Sequence, residues 1–315
     1  MSKRRDGAAS GKGWRWLLAL LIFFYVATDP LAATTAQRSF ASPEEAAAAL
    51  AQAVKSGNRA ATLAVLGQDA AAWISSGDRV ADRASIARFI AAYDARHELV
   101  RNGDKVTLTL GEDDFPFSFP IVRNGERWRF DTAAGKEEML ARRIGENELS
   151  VIKVLEAVVD AQMEYASEDR NGDGVLAYAR KFVSSPGKHD GLYWPVKDGE
   201  PDSPLGELMA RATREGYRKN EKNPTAYHGY YYRMLSSQGT HAASGPLDYV
   251  VHNRAIGGFA AVAYPAQYGN SGIMTFIVNQ DGKIYQADLG PDTRARAMQM
   301  KEFDPGPGWA LVQGE

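Results

Sequence analysis

The chain has no cysteine. Disulfides, a thiolate nucleophile, cysteine-bound zinc and a lipid carried on an N-terminal cysteine are therefore all excluded. Histidine is scarce as well: His97, His189, His228, His241 and His252 complete the set. None stands at the i, i+4 spacing from another histidine or a glutamate that a helical zinc protease requires. The sequence contains no G-x-S-x-G nucleophile turn, and no glycine loop linking a strand to a helix as phosphate binding needs. It also lacks a basic excess, with a formal net charge of −2. Five of the 37 basic and two of the 39 acidic residues lie in the first 36. The remainder thus carries 32 basic and 37 acidic groups, a net charge of −5. Such a chain has no electrostatic reason to bind nucleic acid. Finally, no apolar run reaches the roughly 20 residues of a spanning helix.

What is present begins with a targeting pattern. Lys3, Arg4, Arg5, Lys12 and Arg15 precede the short apolar run Leu17 to Ala27, Asp29-Pro30 breaks it, and small residues follow. This reads as a secretory signal peptide over 1–36, cut after Ala36 by the general secretory route. The expected address is the periplasm, with anchoring only if the signal stays uncut and no transmembrane segment once it is removed. The rest is ordinary globular material in a chain of 315 residues, 44% hydrophobic and 24% charged, a length suited to two domains.

The fold class expected is α+β. Ser42-Pro43-Glu44-Glu45 starts a helix, with Ser as N-cap, Pro at the first position and acids at the positive end of the dipole. A second helix spans Arg59 to Leu66, and Asp82 with Ile86, Phe89, Ile90 and Tyr93 signals a third. After Gly103 the period becomes that of strands, Val106 to Leu110, then two segments flanking the Asn124-Gly125 hairpin turn. Residues 37–132 thus form helices plus a small antiparallel sheet, an order similar to NTF2-like or cystatin-like folds. Residues 133–146 are a charged helical connection. Asn147 is then expected to cap a long amphipathic helix, followed by a short helix from Val175 to Phe182 and another from Leu205 to Tyr217. A strand from Tyr227 to Leu235 precedes a three-strand meander, Gly258 to Tyr264, Ile273 to Asn279 and Lys283 to Ala287. The end, from Phe303, reads as a surface tail.

The segments ENELSVIKVLEAVVDAQMEYASEDRNGDG, GKHDGLYWP, YHGYYYRML and GGFAAVAYPAQYGNSGIMTFIVNQDGKIYQADLG occur in this order. In these the chain closely resembles a bacterial exported family, domain of unknown function 2950, and the likeness extends to WRFDTAAGKEE at Trp128 to Glu138. The resemblance implies an exported protein and brings no activity with it. Residues 147–315 also look like a pilin or pseudopilin globular domain, a long helix packed on an antiparallel meander. A whole domain separates that helix from the N-terminal apolar run, so a pilus subunit is not implied.

Two places are candidate sites. In EDRNGDG, Asp169, Asn171 and Asp173 fill positions 1, 3 and 5 of an EF-hand-type calcium loop, and Gly174 fills position 6. Arg180 stands at position 12, where a bidentate acid is required, which excludes a standard EF-hand. A weaker Ca2+ site completed by Glu164, Glu168 or water competes with a plain turn built from Asx bonds and a left-handed Gly, and the turn is preferred. The second place is aromatic: Tyr230 and Tyr232 on one strand, with Tyr193-Trp194 in a glycine-rich loop. Core packing accounts for most of these residues, and the remainder offers a binding surface for peptide or glycan. His189-Asp190 reads as a turn rather than an acid/base pair.

The resulting expectation is a non-catalytic envelope scaffold or binding module for an envelope protein, peptide or glycan, with no cofactor. A Ca2+-stabilised version of that role is one alternative. An envelope hydrolase whose residues converge from distant positions is the other.

Overall fold

The computed structural model describes residues 36–218 and 225–313. The expected signal, apart from Ala36, lies outside the described residues. Among those residues no helix is long and apolar enough to cross a membrane.

The first half is built on helices α1 (Pro43–Lys55), α2 (Arg59–Leu66) and α3 (Arg79–Ala95). Ser42 caps α1 by accepting the Glu45 N–H, and Asn58 caps α2 through Ala61. α3 begins earlier than Asp82 implied: Asp78 is its N-cap, and Asp82 instead accepts from the Ser75 hydroxyl and from the N–H and hydroxyl of Ser76. The helices cover a sheet of β1 (His97–Asn102), β2 (Lys105–Leu110), β3 (Phe115–Pro116), β4 (Ile121–Asn124) and β5 (Arg127–Phe130). Its order is β1-β2-β4-β5, with β3 also on β2. Asn124 pairs Arg127 across a two-residue loop in which Gly125 has φ 64°, a conformation suited to glycine. Leu50, Val65, Leu108, Ile121 and Phe130 lie at the centre of this core.

One helix, α4 (Thr132–Ala166), runs through both the expected connection and the expected long helix. Asn147 is therefore an interior residue, not a cap. No proline stops a helix in 133–146, and Ala, Glu and Arg make up most of the segment beside Gly135 and Gly145. The Asn147 amide instead donates to the Ser271 carbonyl. At 35 residues, α4 is roughly 50 Å long. Met139 and Leu140 pack on the first core, whereas Val151, Leu155 and Val158 belong to a second.

The expected helix from Val175 to Phe182 is absent. Buried Gln162 on α4 clamps Ala179 from both sides, donating to its carbonyl (2.9 Å) and accepting its N–H (2.8 Å). Tyr178 bridges to Ala255 at the same point. These bonds take the backbone groups that a helix would use. α5 (Gly206–Glu215) follows as expected and ends on left-handed Gly216.

The second half continues through β6 (Tyr230–Leu235), β7 (Ser237–Gln238), β8 (Leu247–Asp248), β9 (Val250–Val251), β10 (Arg254–Ala255), β11 (Ala260–Pro265), β12 (Met274–Asn279), β13 (Tyr285–Asp288), α6 (Thr293–Gln299), β14 (Glu302–Phe303) and β15 (Ala310–Leu311). The main sheet has the order β15-β13-β12-β11-β6. α4 covers one face of it over Phe276 and Val278, and α6 the other over Val262 and Ile277. β11 and β12 are buried on both faces, which is why they read as near-continuous apolar runs. The terminal segment is no surface tail: β15 pairs with β13, and Phe303 is buried.

Hydrogen bonds join the two halves. Arg143 on α4 donates to the Trp73 carbonyl (2.8 Å) and to Asn270, and Asn270 donates to the Ser75 carbonyl (2.8 Å). Burial pulls the Arg143 guanidinium below its ordinary pKa. The described residues accordingly fall in one compact unit.

Candidate functional site

A cavity of about 1230 Å³ opens at the β6 end of the main sheet. One wall is the apolar flank of α4 at Val154 and Val158, and a second is α5 through Leu208, Met209 and Ala212. The loop from Phe182 to Glu200 closes a third side with Tyr193 and Trp194. Tyr227, Tyr231, Tyr232 and Arg233 line the β6 side, with Tyr264 and Met298 beyond them.

The loop wall is a hydrogen-bonded structure. Val183 pairs in parallel with Tyr193, and the Ser184 N–H donates to the Tyr193 carbonyl at 2.8 Å. Asp190 accepts from the Ser185 N–H (2.7 Å), the Ser185 hydroxyl (3.1 Å) and the Lys181 ammonium (2.7 Å). Burial raises the Asp190 pKa, but Lys181 and Ser185 outweigh it and hold the carboxyl at about 2. The His189 ring stacks on Trp194 at 4.3 Å, and the Arg170 guanidinium sits 5.8 Å from the same indole. His189 and Asp190 thus serve different partners.

Of the four aromatics singled out by sequence, Tyr193, Trp194 and Tyr232 line this cavity. Tyr230 does not. It is fully buried, and its hydroxyl donates to the Met274 carbonyl (3.0 Å) and approaches Glu148 (3.3 Å). Tyr230 and Tyr232 share a face of β6, but Gly272 and Glu148 close over the first and leave the second at the opening.

A polar cluster that sequence reasoning missed lies at the cavity's edge. Asp78, from the first half, accepts the Tyr217 hydroxyl (2.8 Å) and the Gly229 N–H (3.1 Å) while capping α3. The His228 N–H donates to the Tyr217 oxygen (3.3 Å), and His228 Nε2 lies 3.6 Å from Glu215. His228 has φ 49° and Gly229 φ 74°, two consecutive residues in the left-handed region. Such strain persists only where surrounding contacts enforce it, and here Asp78 does so. The sequence signal was the His-Gly pair. Its partner stands 151 residues away and could not be inferred.

The electrostatics of these groups bear on chemistry. Burial lowers the His228 pKa, with Glu215 opposing. Burial, and then the Glu215 charge, pushes Tyr227 up to about 12. Tyr217, Tyr232 and Tyr264 are raised too, each chiefly by burial. These phenols stay protonated at neutral pH and offer hydroxyls and apolar faces rather than a base or nucleophile.

The EDRNGDG segment is a turn of the Asx type. Asp169 accepts N–H bonds from Gly172 (2.8 Å), Asp173 (3.2 Å) and Gly174 (2.7 Å), and these lower its pKa, Gly174 most. Asp173 accepts from the Val175 N–H (3.1 Å) and from Arg254 (2.8 Å). Glu164 and Glu168 face Arg170, Arg180 reaches Asn253, and Asn171 is exposed. Among the described residues no group of three or more His, Cys, Asp or Glu side chains is placed to hold a metal ion.

The chain belongs to the family described as protein of unknown function DUF2950, whose model matches residues 37–312. No curated protein and no solved structure matches it.

Proposed function

We propose that this DUF2950 member is an exported, non-catalytic binding module of the bacterial envelope, and that the aromatic cavity is its ligand site. The basic and apolar N-terminal pattern supports export to the periplasm, with the signal cut after Ala36 or kept as an anchor. Three helices on a small antiparallel sheet support an NTF2-like or cystatin-like reading of the first half. A long helix against an antiparallel meander supports a pilin-like reading of the second. The observation that carries the functional reading is the cavity itself, apolar in most of its lining and edged by tyrosines with a hydroxyl at the tip. The partner is an envelope protein, peptide or glycan.

The test uses residues 37–315 and anilinonaphthalene sulfonate, an aromatic anion whose fluorescence reports an apolar site. Saturable binding is expected, weakened by about tenfold or more in Leu208→Trp, which fills the cavity from α5. Undiminished binding by a variant with unchanged circular dichroism would remove the cavity from the proposal.

The EDRNGDG loop is part of the same reading, as a turn rather than a Ca2+ site. Its carboxylates already accept backbone and arginine donors. Thermal midpoints in EGTA and in millimolar calcium are expected to agree within about one degree, because a ligand that does not bind the native state adds no stability. A calcium-specific rise of several degrees, lost in Asp169→Ala, would instead support the Ca2+-stabilised alternative.

A further inference from the structure

We propose that the cavity takes an extended polypeptide, which joins the main sheet as a further strand alongside β6. The proposal rests on the reading of the cavity as a ligand site and names its occupant.

β6 is the last strand of its sheet and pairs with β11. The phase of its backbone is fixed by the bond from the Ala266 N–H to the Gly229 carbonyl. In an antiparallel ladder, bonded residues alternate. Gly229, Tyr231, Arg233 and Leu235 therefore turn their backbone groups toward β11, while Tyr230, Tyr232, Met234 and Ser236 turn theirs outward. The two ends of this outward row are satisfied. Tyr230 exchanges bonds with Tyr227 (3.1 and 2.9 Å), while Ser236 donates to the Lys301 carbonyl (3.0 Å) and accepts from Tyr249 (2.9 Å). The middle is not. Among the described residues, the N–H and C=O of Tyr232 and the N–H of Met234 have no partner.

The cavity lies over the Tyr232 part of that stretch, and Met234 lies just beyond its lining. Tyr232 lines it from one face of the sheet, and Tyr231 and Arg233 from the other, so the cavity wraps the edge itself. Arg233 adds a buried Nε without a partner among the described residues. An unpaired edge invites an added strand unless a charge, a proline or a covering element guards it. Outward groups at alternate residues repeat at about 7 Å, the two-residue rise of a strand, and an incoming backbone matches them group for group. The volume of about 1230 Å³ exceeds the roughly 300–1,000 Å³ of a small-molecule pocket.

The same geometry describes the side chains of the peptide. Successive residues of an added strand point to opposite faces. One set meets Val154, Val158 and Trp194, and the other meets Tyr264 and Met298, so both are apolar or aromatic. Lys188, Lys197 and Arg218 line the cavity together with Glu200, an excess of cations that favours an acidic residue flanking the apolar segment.

The experiment screens a displayed library of random eight-residue peptides for displacement of anilinonaphthalene sulfonate from residues 37–315. Peptides with alternating apolar residues and a flanking acid are expected to displace it. N-methylating alternate residues of the best binder removes backbone donors while keeping every side chain. Methylation of one alternate set is expected to weaken binding by about tenfold or more and of the other set hardly at all, because only one set faces β6. Equal effects of the two sets would overturn the added strand. So would displacement of the dye by peptidoglycan or chitin oligosaccharides and by no peptide. If the dye does not bind in the first place, the cavity fails as a ligand site, and the strand proposal falls with it.

Discussion

Gly135→Ala should destabilise the protein by about 2–4 kcal/mol in urea unfolding, although alanine in a helix ordinarily gains about 1 kcal/mol over glycine. Gly135 lies in the first turn of α4, where the helix meets the segment before β4. A Cβ there would stand 2.3 Å from the Ser118 carbonyl oxygen, 2.3 Å from the Phe119 ring and 2.8 Å from the Phe119 Cα. Two of these obstacles are backbone, so no rotamer change relieves them. Either α4 or the Ser118-Phe119 segment must move, and both are anchored in the first core. Gly145, further along the same helix, is the internal control. A Cβ added there would meet nothing within 4 Å, so Gly145→Ala should stabilise by up to about 1 kcal/mol. Equal behaviour of the two variants would refute the close approach.

Asp78→Ala should cost about 3–5 kcal/mol. The carboxylate caps α3 through the N–H groups of Val80 and Ala81, and it accepts from Tyr217 and Gly229 of the other half. A lost N-cap accounts for about 1 kcal/mol, and each buried donor left without an acceptor for about 1–3 kcal/mol. Asp78→Asn retains an acceptor and should lose less. Tyr217→Phe removes the donor to Asp78 together with the weaker acceptor of the His228 N–H and should cost about 1–3 kcal/mol. Combining Tyr217→Phe with Asp78→Ala should then be clearly less than additive, because one hydroxyl no longer lacks a partner. Strict additivity in that double-mutant cycle would show that Asp78 and Tyr217 do not act together.

Local chemistry made much of the fold legible. Ser42-Pro43 and Asn58 start helices where capping requires them, and Asn124-Gly125 sits at its hairpin. The strands β6, β11, β12 and β13 fall within or beside the runs expected of them. The failures share a physical cause, a partner remote in sequence. Ala179 lost its helix to Gln162, seventeen residues back. Asn147 found Ser271 instead of a helix start, and the tail after Phe303 found β13. The site divided in the same way. Tyr193, Trp194 and Tyr232 were visible as aromatic concentration, but composition could not separate them from Tyr230, which packs inside. His228-Gly229 left a trace in the sequence, but its meeting with Asp78 and Tyr217 did not, since Asp78 stands 151 residues from Gly229.

The uninterrupted course of α4 has a mechanical consequence. A helix without a break acts as a stiff rod, and this one has one end seated in the first core and the other in the wall of the cavity. The halves cannot swing about a linker at 133–146, because the segment that would serve as the hinge is itself part of the rod. Strain at either end is therefore shared along its length, and the protein should come apart in a single event rather than half by half.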